Sequence, residues 1–266
     1  MVVGILNATP DSFSDGGRHL DPDRAADAAA AMVAAGAGML DVGAESTRPG
    51  ATPVGAAEER RLLLPVLRAV RRAVAVPLSV DTMKASVAEA ALDAGADVIN
   101  DVTAGRFDRR MLPLCAQAAV PVVLMHMRGT PAGMQRAPRY RDVVEEVAGF
   151  LGRRAAAART AGIAPDAIVL DPGIGFGKTL AHNLALLAGL PRLAALGHPV
   201  LVGVSRKGFV GQLLGGVPPE ARVYGTAAAV ALAVAGGARL LRVHDVAEMR
   251  QVVAVADAIA RAGASA

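Results

Sequence analysis

Ile168-Val169-Leu170-Asp171-Pro172-Gly173-Ile174-Gly175-Phe176-Gly177-Lys178-Thr179 runs from three apolar residues into an acid and then a glycine-rich loop. Such a run reads as a buried strand with a carboxylate at its carboxyl end, the place where α/β proteins put ligand chemistry. Seven further apolar runs share its character, at 2–6, 39–43, 77–80, 97–99, 121–125, 200–204 and 240–243. Val, Ile and Leu dominate them without polar alternation, as in a parallel sheet covered on both faces. Helical stretches lie between. Asp21-Pro22 offers an N-cap and a first-turn proline, and Gly36 a stop. Asp81 or Thr82 is expected to cap a second helix, ended by Gly95. Val143, Val144, Val147, Phe150 and Leu151 form an apolar stripe at helical spacing, closed by Gly162.

A weak internal repeat supports this alternation. Ala35-Gly36-Ala37, Ala94-Gly95-Ala96 and Gly236-Gly237-Ala238 each end a helical stretch. Five residues after the central glycine come Asp41, Asn100 and Arg242, so three helix-to-strand steps deliver a polar side chain at one register. Eight strand–helix units in 266 residues predict an α/β fold of the (β/α)8 TIM-barrel type, a single domain over 1–266. An open doubly wound sheet usually carries G-x-G-x-x-G after its first strand, and that motif is missing here.

Composition narrows the function. Hydrophobic content is 53% and charged content 20%, which excludes disorder. Tryptophan is absent and aromatics make up 3%, so stacking platforms for nucleic acid are lacking. The net charge of +4 favours an anionic small substrate over a nucleic-acid partner. The only cysteine, Cys115, precludes an internal disulfide and reads as core. The start at Met1-Val2-Val3-Gly4 has no signal-peptide n-region, and the most apolar segment, 226–235, is too short to cross a bilayer. A cytoplasmic location without membrane contact is expected.

The strand ends are polar throughout: Asn7; Asp41 with Glu45-Ser46-Thr47-Arg48; Asp81; Asn100-Asp101; His126; Asp171; Ser205-Arg206-Lys207; Arg242-Val243-His244-Asp245. Asp101 and Asp245 read as rim caps or pairs, and His126 as a satisfied core histidine. A ring of buried polar groups, each costing roughly 1–3 kcal/mol unpaired, calls for a ligand, a metal or mutual pairing. Asp81, Asn100 and Asp171 suit a flat nitrogen heterocycle with several N–H donors, because a carboxylate facing an amino group and a ring N–H makes two charge-assisted bonds. Arg48, Lys207, Arg242 and His244 suit a phosphate or diphosphate at the rim. Asn7 is a neutral oxygen donor acceptable to Mg²⁺ already held by a diphosphate. The glycine-rich loop comes close to a phosphate-binding P-loop but has Pro172 where the first glycine belongs, and proline has no N–H to offer. Nucleoside triphosphate hydrolysis is set aside on that ground.

The motifs resemble those of the dihydropteroate synthases, in the pterin-binding enzyme family. Gly4-Ile5-Leu6-Asn7-Ala8-Thr9-Pro10-Asp11-Ser12-Phe13-Ser14-Asp15-Gly16-Gly17 is similar to the first signature of that family. Asp41-Val42-Gly43-Ala44-Glu45-Ser46-Thr47-Arg48-Pro49-Gly50 is similar to the second. Val80-Asp81-Thr82, Asn100-Asp101, His126 to Pro131, Asp171 to Lys178, Ser205-Arg206-Lys207 and Arg242 to Asp245 continue the series in order, from residue 2 to about 260.

The resemblance implies a transferase of folate biosynthesis. A dihydropterin bearing a hydroxymethyl diphosphate reacts with p-aminobenzoate, giving 7,8-dihydropteroate and diphosphate. It implies that Asp81, Asn100, Met125, Asp171, Phe176, Lys207 and Arg242 line the pterin site. Asn7 would reach Mg²⁺, and Thr47, Arg242 and His244 the diphosphate. Phe13, Thr47, Arg48, Pro49, Ser205 and Lys207 would shape the p-aminobenzoate site. Asp81, Asp171, Lys207, Arg242 and His244 would carry catalysis. It also implies small-molecule substrates as the partners and a homodimer through the late helices between about Tyr224 and Ile259. Two departures stand out. The chain lacks the usual segment before the first strand, and Gly208 stands where a larger residue is common. A pterin-binding methyltransferase, a non-catalytic paralogue and a sugar-phosphate barrel remain as rival readings.

Overall fold

The computed structural model describes residues 1–8, 21–46 and 51–264. Eight strands alternate with helices: β1 Val2–Asn7, β2 Met39–Gly43, β3 Leu78–Asp81, β4 Val98–Asp101, β5 Val122–Met125, β6 Ile168–Asp171, β7 Leu201–Gly203 and β8 Leu240–Val243. All pairings are parallel and follow the order β6-β5-β4-β3-β2-β1-β8-β7. A parallel bridge between Leu170 and Val200 joins β6 to β7 and closes the barrel. The expected (β/α)8 architecture is therefore the observed one. Strands β3 and β6 end one residue later than their apolar runs and β4 two later, because Asp81, Asp171 and Asp101 are themselves the last residues of their strands.

The helices are α1 Pro22–Ala34, α2 Ala56–Ala73, α3 Ala85–Asp93, α4 Met111–Gln117, α5 Val143–Thr160, α6 Leu180–Ala188, α7 Leu190–Ala194, α8 Gly208–Leu213, α9 Val223–Ala235 and α10 Val246–Ala264. Asp21 caps α1 by accepting from the Asp23 N–H, and Asp142 caps α5 by accepting from Val144 and Glu145. Gly36, Gly95 and Gly162 follow their helices with φ near +103°, a conformation that costs a residue with a Cβ. The capping expectation at Asp81 or Thr82 fails. The N-cap of α3 is Lys84, and the Ala85 N–H is satisfied by the Asp108 carboxylate from the next βα turn. Cys115 is buried in α4 and its thiol is pushed up to about 12, chiefly by burial, as suits a core residue. Among the described residues no helix is long and apolar enough to cross a membrane.

Inside the barrel the floor is apolar. Val3, Met39, Val98, Val123, Val169, Leu201 and Leu240 form one buried cluster there. Because side chains in a strand alternate, the residues two further on face the same interior. They are Ile5, Asp41, Asn100, Met125, Asp171, Gly203 and Arg242. An apolar plug with a polar layer above it is therefore the ground plan of the site.

Candidate active site

Arg242 sits at the centre of the polar layer. Its Nε donates to Asp41 Oδ2 at 2.5 Å, and its Nη2 lies 3.5 Å from Asp81 Oδ2. The Asn100 amide donates to the same Asp41 oxygen at 3.2 Å. Asp41 Oδ1 is buried with no hydrogen-bond partner among the described residues. Gly43, paired with Asp81 in the ladder, leaves that carboxylate room, since a Cβ there would lie 3.3 Å from Asp81 Cβ. Burial and the neighbouring Asp41 raise the Asp81 carboxyl above its ordinary range, against the pull of Arg242.

Asp171 faces this group from β6. Burial raises its carboxyl too, opposed most by Lys207, and its Oδ1 accepts from the Gly173 N–H at 2.6 Å. Lys207, the N-cap of α8, donates from Nζ to the Ile174 carbonyl and stands 4.8 Å from the centroid of the Phe176 ring. Burial lowers this ammonium to about 8. The side chain is thus turned into the site rather than into solvent. Phe176 is half-buried against Val102, Met125, Met127 and Met134, which form a sulfur-rich apolar wall beside the carboxylates.

The glycine-rich loop is held from inside. Lys178 is buried, and its ammonium donates to the carbonyls of Gly173 and Phe176 at 2.9 and 3.0 Å and to the His126 carbonyl at 3.3 Å. It also lies 3.0 Å from His126 Nδ1. A phosphate-binding lysine would have its ammonium in the ligand space, so the rejection of a P-loop stands on geometry as well. Burial lowers Lys178 to about 7. Burial, with Lys178 next, holds His126 at about 3. His126 is neutral at pH 7 and takes its fourth side from Phe150, edge-on at 4.9 Å between centroids. It is a core histidine, as expected. Gly173 permits this nesting: at φ +65°, its Cβ would come 2.0 Å from the His126 carbonyl oxygen.

On the other side of the mouth the Ser205 hydroxyl meets the His244 N–H and Nδ1, each at 3.1 Å. Arg206, between Ser205 and Lys207, adopts φ +57°, which is costly for a residue with a side chain. A two-bond ion pair with Asp245 at 2.5 and 3.0 Å and a bond from its N–H to Thr226 Oγ1 hold it there. Asp101 is likewise a rim acceptor, bonded to Thr103 and Gly105. Asn7 ends β1 half-buried, with no side-chain hydrogen bond to a described residue. No group of three or more His, Cys, Asp and Glu side chains among the described residues could hold a metal. A single neutral oxygen fits an ion that keeps most of its ligands from water and phosphate. Phe13, Thr47, Arg48 and Pro49 lie outside the described residues.

The structure thus brings Asp81, Asn100, Met125, Asp171, Phe176, Lys207 and Arg242 to one mouth, with Ser205, His244 and Asn7 at its edge. Two parts were not foreseen as site components. Asp41, the hub of the buried network, was read as a polar strand end sharing the register of Asn100 and Arg242, but no role in the site was assigned to it. Lys178 as an internal clamp had no local signal, since its partner His126 is 52 residues away.

A (β/α)8 barrel with polar side chains gathered at the carboxyl ends of its strands has them where enzymes of this fold carry their active sites. The pattern of the pterin binding enzymes matches residues 3–244. The dihydropteroate synthase of Synechocystis is 46% identical over 260 residues, covering 98% of this chain and 90% of that protein. Two solved structures of the Xanthomonas albilineans dihydropteroate synthase each cover 97% of this chain and 92% of theirs. One, with 4-aminobenzoic acid, is 50% identical with a TM-score of 0.91, and the other, in complex with 7,8-dihydropteroate, is 47% identical with a TM-score of 0.87. The chain belongs to the dihydropteroate synthase family of pterin-binding enzymes.

The depressed His126 fixes a pH dependence. A base whose folded pKa lies below its unfolded value of about 6.5 leaves the unfolded state with more bound protons, so stability falls as pH drops below 6.5 and levels off only near 3. Between pH 7 and 5.5 the parent is expected to lose about 1 kcal/mol through this residue. His126→Asn should remove that part of the slope in urea unfolding measured at the two pH values.

Proposed function

We propose that this chain joins a (7,8-dihydropterin-6-yl)methyl diphosphate to p-aminobenzoate, releasing diphosphate and forming 7,8-dihydropteroate for folate synthesis. The observation that carries the reading is the convergence of Asp81, Asn100 and Asp171 around one mouth with Arg242 and Lys207 beside them. One relative, the Xanthomonas albilineans dihydropteroate synthase, supports the reading with two complexes of its own, one with 4-aminobenzoic acid and one with 7,8-dihydropteroate.

The pterin would lie on the Met125–Phe176 wall, its amino and ring N–H groups donating to Asp171 and Asp81 and its ring acceptors meeting Asn100 and Lys207. Ligand N–H groups would take over part of the hydrogen bonding that water would otherwise supply to these buried carboxylates. The C–O bond at the exocyclic methylene breaks with its electron pair leaving on the diphosphate. The ring then carries a delocalised cation, which the Asp171 carboxylate stabilises across the pterin edge. Arg242 and His244, with Thr47 from outside the described residues, hold the departing oxygens. Asn7 would be the side chain that meets Mg²⁺ arriving with the diphosphate, and such an ion would supply charge neutralisation of the leaving group. The aniline nitrogen, already neutral at pH 7, forms the new C–N bond and afterwards loses a proton to solvent. Phe13, Thr47, Arg48, Pro49, Ser205 and Lys207 would frame that second substrate. The open space beside Gly208, where a Cβ would meet nothing within 4 Å, leaves this edge wide.

The chain acts in the cytoplasm and pairs as a homodimer through α9 and α10. Tyr224 and Ile259 are large apolar side chains 87% and 69% exposed, and Leu232 and Val255 share the same two helices.

Incubation of the chain with the pterin diphosphate and Mg²⁺ should release diphosphate in step with dihydropteroate only when p-aminobenzoate is present. Pterin binding without product would point to a non-catalytic paralogue or a methyltransferase. Asp171→Asn is expected to lower kcat/KM by about a hundredfold or more, the scale of losing one electrostatic contact to a transition state. Sedimentation at micromolar concentration should give twice the chain mass, and Leu232→Glu with Ile259→Glu should give the monomer.

A further inference from the structure

Arg206 stands between two residues of the proposed site, Ser205 and Lys207, with its backbone left-handed at φ +57°. The Lys207 N–H donates to the Val204 carbonyl at 3.3 Å, so residues 204–207 form a four-residue turn with Arg206 third. A turn with a left-handed third residue ordinarily takes glycine or asparagine there, because a Cβ crowds the following carbonyl. The chain keeps an arginine instead, and three anchors from outside the turn offset the strain. The guanidinium makes two bonds with the Asp245 carboxylate, at 2.5 and 3.0 Å. The Arg206 N–H donates to Thr226 Oγ1 at 3.1 Å, and its carbonyl accepts from Arg222 Nη1 at 2.8 Å. The first anchor is the residue after His244. The other two come from the first turn of α9 and the residue that precedes that helix.

Strain of this kind persists only where the surroundings over-determine it, and it points to a place where the direction of the backbone matters. What this turn directs is Lys207. A Cβ on Gly203 would lie 3.8 Å from the Lys207 Nζ, and one on Gly175 would lie 3.3 Å from its Cδ, so the side chain runs inward between two glycines. The ammonium ends on the Ile174 carbonyl beside the Phe176 ring. A strongly hydrated ammonium on a flexible four-carbon stem would otherwise turn to water. We propose that Arg206 is a positioning residue whose strained backbone, held by Asp245, aims Lys207 into the pterin pocket. This deepens the function proposed above, in which Lys207 meets the pterin ring. Arg206 acts through Lys207 and is assigned no contact with substrate.

The test is a series at one position. Arg206→Gly, Arg206→Ala and Arg206→Val all lose the ion pair, but they differ in the cost of a left-handed backbone, lowest for glycine and highest for β-branched valine. The first readout is the protonation of Lys207 in the unliganded protein, followed through its side-chain ¹³C shift against pH, and it needs no turnover. Burial lowers this ammonium to about 8, with Asp171 opposing the fall and Arg242 adding to it. Arg206→Gly should leave it there, whereas Arg206→Val should release it toward the ordinary lysine value of about 10.4. The second readout is the Kd for the pterin diphosphate. It should stay within about threefold in Arg206→Gly and rise about tenfold in Arg206→Val, with Arg206→Ala between, since a left-handed residue with a Cβ costs on the scale of one tenfold step. An equal change in all three variants would overturn the proposal, because the ion pair alone would then be the whole effect. So would a parent-like Lys207 in all three. Asp245→Asn keeps the arginine and weakens its anchor, which covers the case in which Arg206→Val does not fold. It should move Lys207 in the same direction, and a lysine that stays at its parent value would again overturn the proposal. A parent chain that binds pterin but forms no product would refute the synthase reading instead, and the lysine readout would still decide the role of Arg206.

Discussion

The contact between Arg242 and Asp41 is the constraint around which the barrel mouth is arranged. A guanidinium and a carboxylate buried together gain little net stability from their attraction, because desolvation of both offsets it. They do fix each other's geometry through directed bonds. Asn100 then fills a remaining site on the same Asp41 oxygen, and Asp81 stands at the far side of the guanidinium. Burial and then the neighbouring Asp41 raise the Asp81 carboxyl, and Arg242, already bonded to Asp41, only partly offsets them. The mouth is therefore rich in acceptors in need of donors. A heterocycle with several N–H groups meets that need, whereas an anion alone would be repelled from the floor and kept at the rim.

Much of this was readable in advance, and the reasons are local. A parallel strand buried on both faces must be continuously apolar, so the eight strands announce themselves. Gly36, Gly95 and Gly162 announce helix ends because a left-handed residue is needed there. Asp41, Asn100 and Arg242 share one spacing from their glycines, and that shared register is why they meet. What failed was also physical. Asp81 looked like a helix cap because acids cap helices, but it is spent as the last residue of a strand. The helix it was assigned to takes its acceptor from Asp108, 23 residues away. Lys178 stands in a near P-loop that Pro172 already ruled out, and its role as a clamp through His126, 52 residues away, had no local signal. Lys84 donates to Glu45 at 2.6 Å and to Glu59 at 2.5 Å, residues 39 and 25 positions away, a separation at which no spacing rule operates.

Lys178 freezes the loop after β6 from beneath, so that Asp171, Ile174 and Phe176 keep their places without a ligand. The mouth is thus stiff along the edge where Asp171 and Phe176 stand.

The closure of the barrel has a bearing of another kind. Strands β6 and β7 meet through the bridge at Leu170 and Val200, with the Leu170 N–H donating to the Pro199 carbonyl. Asp171 stands on one side of this join and Lys207 on the other, and the Lys207 ammonium already crosses it to the Ile174 carbonyl. A ring held at once by Asp171 and Lys207 would act as a suture across the seam. Ligand and barrel would then stabilise each other by linkage, and opening of the cylinder along this line would be opposed by the molecule it was built to hold.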